Sequence, residues 1–183
     1  MNFREPVWRP HSRLLRSKVP LDWWRWLIDP DSLTRRLQTA CGGHFHVEVL
    51  NQCWNVPLHN EARAMGLADI RRALVREVFL YCNDTPWVYA RTVIPASTLS
   101  GRERRLMHLG SKPLGAVLFS DPTMRRDEME LACIRPGQRL FNRATQHLSK
   151  PPNTIWGRRS VFRLRHKPLL VSEIFLPDIP AHP

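Results

Sequence analysis

Three charged residues occupy strand positions that alternation would give to apolar ones. In the run Leu74-Val75-Arg76-Glu77-Val78-Phe79-Leu80, successive side chains point to opposite faces, so Arg76 shares a side with Leu74, Val78, Leu80 and Cys82. The same count sets Arg91 with Trp87, Tyr89 and Val93, and Glu173 with Leu169, Val171 and Phe175. A buried charge is costly unless it is paired, so each of these needs a partner in the protein or in a ligand. Guanidinium groups on an apolar wall suit a ring that bears carboxylates, and a carboxylate beside them suits proton transfer. An internal Arg76–Glu173 ion pair is the alternative. Glu77, on the opposite side with Val75, Phe79 and Tyr81, leaves open which face of that strand is the core.

Two helix starts add anion-binding groups. Leu33 follows Asp31-Ser32 and Leu114 follows Pro113, and the first-turn amides of a helix have no intrahelical partner and favour anions. If both starts face the cavity of Arg76 and Arg91, the site offers guanidinium groups and amides to carboxylates and an apolar wall to a ring.

The elements that would position these residues follow from periodicity and punctuation. Short helices are expected over 21–28 and from Asp31-Ser32 to about Thr39, the second ended by Gly42-Gly43. Strands are expected over 44–54, 74–82 and 87–95, the last two joined by the turn Asn83-Asp84-Thr85-Pro86. Ser100 caps a basic helix through Arg105 and His108, and Pro113 opens another carrying Leu114, Val117, Leu118 and Phe119. A strand pattern returns over 124–131. Pro, Gly, Asn and Arg then dominate 132–154, which reads as a long loop with a helical turn around 140–147. Final strands over 160–166 and 169–176 flank Lys167-Pro168. This order indicates one α+β domain, an antiparallel sheet with helices packed on it.

The chain has 183 residues, 43% of them hydrophobic, which is enough for one core. Cys41, Cys53, Cys82 and Cys133 are scattered with no C-x-x-C pair, so they read as reduced thiols rather than a zinc site or a disulfide framework. The N-terminal lead, basic at Arg9, Arg13, Arg16 and Lys18, lacks the apolar core of a secretory signal, and no apolar run is long enough to cross a membrane. A cytoplasmic protein with no membrane insertion is therefore expected. The net charge of +12 fits either a nucleic-acid footprint or steering of a small anionic substrate. No RNP, zinc-finger or helix-turn-helix pattern supports specific nucleic-acid binding.

Several blocks in order resemble the chorismate pyruvate-lyase family. They are Leu74-Val75-Arg76-Glu77, Trp87-Val88-Tyr89-Ala90-Arg91-Thr92-Val93-Ile94-Pro95, Ser97-Thr98-Leu99-Ser100-Gly101 and Leu109-Gly110-Ser111-Lys112-Pro113-Leu114-Gly115, then Trp156-Gly157-Arg158-Arg159-Ser160 and the stretch from Lys167 to Pro177. The resemblance implies a single α+β domain over 21–177, with helices forming flaps over an enclosed ligand pocket, preceded by the basic lead 1–20 and followed by the Pro-rich tail 178–183. It places the family's ligand-binding arginine at Arg76, its pocket leucine at Leu114, its essential carboxylate at Glu173 and another shared arginine at Arg91, while a pocket methionine falls at Leu33. Two departures stand out. The segment 132–154 is longer than the family pattern, which marks it as a surface loop insertion, and the chain is more basic.

The implied activity splits chorismate into 4-hydroxybenzoate and pyruvate without metal or redox cofactor, at the entry to ubiquinone biosynthesis, in a monomer. In that reading Arg76 and the amides near Leu33 and Leu114 hold the ring carboxylate, Arg91 orients the enolpyruvyl carboxylate, and Glu173 faces the 4-hydroxyl. Two rivals remain: a lyase making a different hydroxybenzoate, and a non-catalytic effector domain of the kind found in GntR-type repressors. The second normally follows a DNA-binding winged helix, for which the lead is too short.

Overall fold

The computed structural model describes residues 4–67 and 72–181. The lead holds a two-residue strand, β1 (Arg9–Pro10), and 3-10 turns at His11–Arg13 and Arg16–Lys18. Two helices follow, α1 (Leu21–Ile28) and α2 (Leu33–Cys41), and Gly42 ends α2 in the left-handed region at φ 58°, which its missing Cβ permits. The middle of the chain forms β2 (Phe45–Asn55), α3 (His59–Ala64), β3 (Ala73–Cys82), β4 (Thr85–Pro95), a 3-10 stretch (Gly101–His108) and α4 (Leu114–Phe119). The remainder forms β5 (Arg125–Arg126), β6 (Glu130–Ile134), α5 (Arg139–Ala144), β7 (Ile155–Leu164) and β8 (Lys167–Phe175).

These strands make one antiparallel sheet in the order β1-β6-β7-β8-β4-β3-β2, with β5 beside β7. The α+β architecture is as expected. The turn between the last two strands is not where the proline suggested. Leu164 pairs with Lys167, so the loop is Arg165-His166, both at positive φ (49° and 70°), while Lys167 and Pro168 open β8. Two residues with positive φ give the hairpin turn whose twist matches the strands.

Both faces of the sheet are covered, which resolves the ambiguity over Glu77. On the first face Trp26, Leu27, Leu33 and Leu37 of α1 and α2 pack on Val78, Leu80 and Phe175, while Leu106, Leu114 and Leu118 pack on Leu74, Phe162 and Val171. On the second face Leu140, Phe141 and Ala144 of α5 meet Phe79, Tyr89 and Ile174, and Met65 after α3 meets Val75, Val93 and Leu170. The expectation of a long loop over 132–154 is thereby corrected, while the helical turn expected around 140–147 is present as α5. The segment finishes β6 and supplies α5, whose buried Leu140 and Phe141 each stabilise the fold by about 1.5–3 kcal/mol. Helix α3 was not foreseen.

The cysteine reading also changes. Cys41 and Cys82 form a disulfide, with Cα atoms 5.4 Å apart, and Cys53 and Cys133 are free. Scattered positions concealed this pair because the β2–β3 pairing, which sets Phe45 opposite Cys82, brings the end of α2 beside the end of β3.

A buried ion network lies on the second face. Glu77 accepts from the Tyr89 hydroxyl at 2.5 Å, from Arg91 Nη1 at 3.2 Å and from Arg143 Nη2 at 2.7 Å. Burial alone would raise the Glu77 carboxyl, but the Arg143 and Tyr89 hydrogen bonds and the charges of Arg91 and Arg143 outweigh it and hold the group down to about 2. Because the folded value lies below the unfolded one near 4.5, the stabilisation is complete above pH ~5 and is lost as pH falls toward 2, at about 3 kcal/mol in all. Denaturant titrations at pH 7, 5 and 3 should show this loss in the wild type and a flatter profile in Glu77→Gln. Parallel profiles for the two proteins would refute it.

Candidate functional site

The first face of the sheet and the starts of α2 and α4 enclose a cavity. Its floor is the outward row Val47, Val78, Leu80, Ala90, Thr92 and Val171, and its charged residues are Arg76, Arg126, Arg158, Glu173 and Asp31. Leu33, Thr34, Leu114 and Gly115 close it from above. Neither helix start carries a side-chain cap. The two flaps touch closely. A Cβ on Gly115 would lie 2.9 Å from Thr34 Oγ1, so only glycine lets α2 and α4 meet without a shift. The interior volume is about 40 Å³, room for a few waters at ~10–15 Å³ each. A substituted ring is larger, so the flaps have to part to admit one.

Strand register explains the placement of each charge. Arg76 pairs with Thr92, and Ala90 pairs with Glu173, which pairs on its other side with Arg158, so the three charged side chains face the same way. Arg126 joins them from β5, opposite Phe162. Arg76 is almost fully buried, and its Nη2 donates to the carbonyls of Gly110 (2.9 Å) and Lys112 (3.2 Å) ahead of α4. Its Nε is buried with no hydrogen-bond partner among the described residues, and burial lowers its pKa. A buried guanidinium donor left free on a cavity wall is poised for an anionic oxygen.

Glu173 does not pair with Arg76. Its Oε2 accepts from Arg158 Nε at 2.6 Å. Arg158, 1% exposed, also donates through Nη1 to the carbonyls of Trp26 (2.9 Å) and Asp29 (2.7 Å), so a single guanidinium ties the carboxylate to the end of α1 and the approach to α2. Arg126 donates to Ser160 Oγ and the Pro30 carbonyl, both at 2.9 Å, and lies over Phe162. Burial, and then the neighbouring Arg158 charge, lower its pKa. With Arg158 neutralised by Glu173, Arg76 and Arg126 are the two cavity cations that bond only to neutral oxygens among the described residues.

Of the five residues singled out by sequence, Arg76, Leu114, Leu33 and Glu173 line one cavity. Arg91 does not. It pairs with Glu77 across β3 and β4 and therefore points to the second face, where its Nε and Nη2 grip both oxygens of Glu61 at 2.6 and 3.1 Å. Burial would lower its pKa, but the Glu61 and Glu77 carboxylates raise it. The expectation that Arg91 shares a site with Arg76 fails because the two differ by an odd number of strand positions once pairing is counted. Arg158 and Arg126 were overlooked. The alternation applied to β3 would have flagged Arg158, since Trp156, Arg158, Ser160, Phe162 and Leu164 share one face of β7. Arg126 gave no such signal, because a two-residue strand has no period.

The family model described as chorismate lyase matches residues 4–182. A protein of Nitrosomonas europaea named "Probable chorismate pyruvate-lyase" is 40% identical over 169 residues, covering 92% of this chain and 93% of its own. A protein of Methylococcus capsulatus with the same name is 43% identical, covering 86% and 96%. Among solved structures, the effector domain of PhnF from Mycobacterium smegmatis superposes with a TM-score of 0.56 at 13% identity, covering 82% of this chain and 91% of that one. The ligand-binding domain of a GntR-family regulator from Bordetella bronchiseptica reaches 0.54 at 16% identity, covering 74% and 86%. At these identities the structural likeness is one of fold alone.

Proposed function

Because this chain belongs to the chorismate lyase family, we propose that it removes pyruvate from chorismate to give 4-hydroxybenzoate, without cofactor and as a monomer, at the first step toward the ubiquinone ring. The observation that carries the reading is the match between two cavity cations, Arg76 and Arg126, and the two carboxylates of chorismate, with Glu173 between them on the sheet.

In the reaction the bond from ring carbon 3 to the enolpyruvyl oxygen breaks, carbon 4 loses its hydrogen, and the ring becomes aromatic. The enolpyruvate methylene gains a hydrogen to become the methyl of pyruvate. Arg76, with its free Nε, and the uncapped amides at Leu33 and Leu114 hold the ring carboxylate. Arg126 takes the enolpyruvyl carboxylate, the role that Arg91 cannot fill from the far face. Glu173, fixed by Arg158, faces the 4-hydroxyl and either accepts the carbon 4 proton or orients a direct transfer to the methylene. Leu33 and Leu114 supply the apolar roof.

Arg76→Ala is expected to weaken binding of 4-hydroxybenzoate about 10- to 100-fold, the equivalent of losing a charge-assisted hydrogen bond worth ~1.5–3 kcal/mol, with turnover falling alongside. Isothermal titration measures it, and unchanged affinity would remove Arg76 from the site.

The direct test incubates the chelator-treated protein with chorismate and quantifies both products by chromatography. Equal amounts of 4-hydroxybenzoate and pyruvate are expected. Intact chorismate beside a folded protein that binds 4-hydroxybenzoate would favour the effector-domain reading that the shared fold allows. Size-exclusion chromatography with light scattering tests the monomer.

A further inference from the structure

A second cavity, of about 340 Å³, lies on the first face of the sheet between the N-terminal lead and the β6–β7 edge. Its floor is apolar. Leu131 and Cys133 of β6 point the same way, and Cys133 is paired with Trp156 of β7, so the three side chains form one surface whose polar groups are a thiol and one indole N–H. The rim is cationic. Arg9, paired with Leu131 through β1, and Arg135, two positions beyond Cys133, extend the same row of side chains, and Lys18 faces them from the lead. None of these three cations makes an ion pair or a side-chain hydrogen bond among the described residues, in contrast to Arg158, Arg159 and Arg163 nearby. The lead beside the groove also leaves Val7 and Leu15 roughly two-thirds exposed.

Unpaired surface cations are common, and an apolar groove alone calls for any apolar body. Their combination is more selective. A floor that offers only a thiol and one indole N–H suits an apolar body better than a peptide backbone or a sugar, while three cations of one sign around it favour an anionic head and disfavour a cationic one. The volume lies within the range of small-molecule sites and well above that of the cavity holding Glu173. The two cavities lie close together, because Trp156 is two residues before Arg158 on the same face of β7, about 7 Å along the strand.

We infer that this groove is a binding site for a single-chain amphipathic anion, an aliphatic body on Leu131, Cys133 and Trp156 with a carboxylate or phosphate head held by Arg9, Lys18 and Arg135. The reading is independent of the reaction assigned to the other cavity. None of the three cations touches that cavity, so variants at the rim leave chorismate turnover unchanged.

Decanoate, kept below its micelle concentration, is titrated into the full chain by calorimetry, with decanol and 4-hydroxybenzoate as controls. One-to-one saturable binding is expected, weakened at least tenfold for decanol and at least tenfold in Arg9→Glu/Arg135→Glu, and not displaced by 4-hydroxybenzoate. In a Cys53→Ser background, decanoate should also slow reaction of the Cys133 thiol with a disulfide reagent, and Cys133→Trp should block the groove. The double charge reversal lies on the exposed rim and keeps the test decisive if the tryptophan variant misfolds. Absence of saturable binding, equal binding of decanol, insensitivity to the charge reversal, or competition by 4-hydroxybenzoate would each overturn the proposal. Association with phosphatidylglycerol vesicles but not with monomeric decanoate would overturn it in favour of a membrane-facing surface.

Discussion

Glu173→Gln should reduce turnover by about 10²–10⁴ while leaving the fold and the affinity for 4-hydroxybenzoate within a few-fold of wild type. Glutamine keeps the shape, and its carbonyl can still accept from Arg158 Nε, so what disappears is the negative charge and the ability to take a proton. A stopped chorismate assay gives kcat, and a denaturant titration verifies the fold. A kcat within threefold of wild type would exclude Glu173 from the chemistry. Deuterium at carbon 4 of chorismate separates the two routes. Label retained in the pyruvate methyl means direct transfer, with Glu173 orienting the 4-hydroxyl, whereas label lost to solvent means transfer through the carboxylate.

Arg158→Ala should destabilise the protein by about 3–5 kcal/mol, the usual cost of removing one partner from a buried pair. For a chain of this length that lowers the midpoint of thermal unfolding by roughly 10 °C. Three acceptors lose a donor at once: the Glu173 carboxylate and the Trp26 and Asp29 carbonyls. Trp26 lies in the last turns of α1 and Asp29 in the segment leading into α2, so the same change should loosen the flap. Arg158→Lys, a single point of charge, should recover stability only in part, because one ammonium does not reproduce the fork that reaches β8 and α1 together. A loss below 1 kcal/mol in the alanine variant would mean that the pair contributes little.

Local patterns marked the elements well wherever a segment owned its signals. Helix α1 and the β3–β4 hairpin lie close to where periodicity and turn residues put them. The charged positions Arg76 and Glu173 stood out because each breaks an apolar row that is continuous in sequence. What escaped was whatever depends on pairing between distant strands. Arg91 looked equivalent to Arg76 until the register set Glu77, not Arg76, opposite it. The link between Cys41 and Cys82 and the grip of Arg158 on Glu173 are likewise products of neighbouring strands. Residues 132–154 read as a loop because short elements rich in Arg, Asn and Gly carry weak propensity, and only burial of Leu140 and Phe141 makes them a layer.

The sheet order has a kinetic consequence. β3 and β4 are joined by a short turn and β2 precedes them by a connection that holds only α3 among the described residues, but β8 enters beside β4 only after the chain from Pro95 to Lys167 has been closed into a loop. That closure is entropically opposed, and slow pairings of this kind delay folding. Arg76 belongs to the early meander and Glu173 to the late strand, so during refolding the chain should regain much of its strand signal before it can hold a ring. The ability to bind is then the last property the molecule acquires and, on unfolding, the first it gives up.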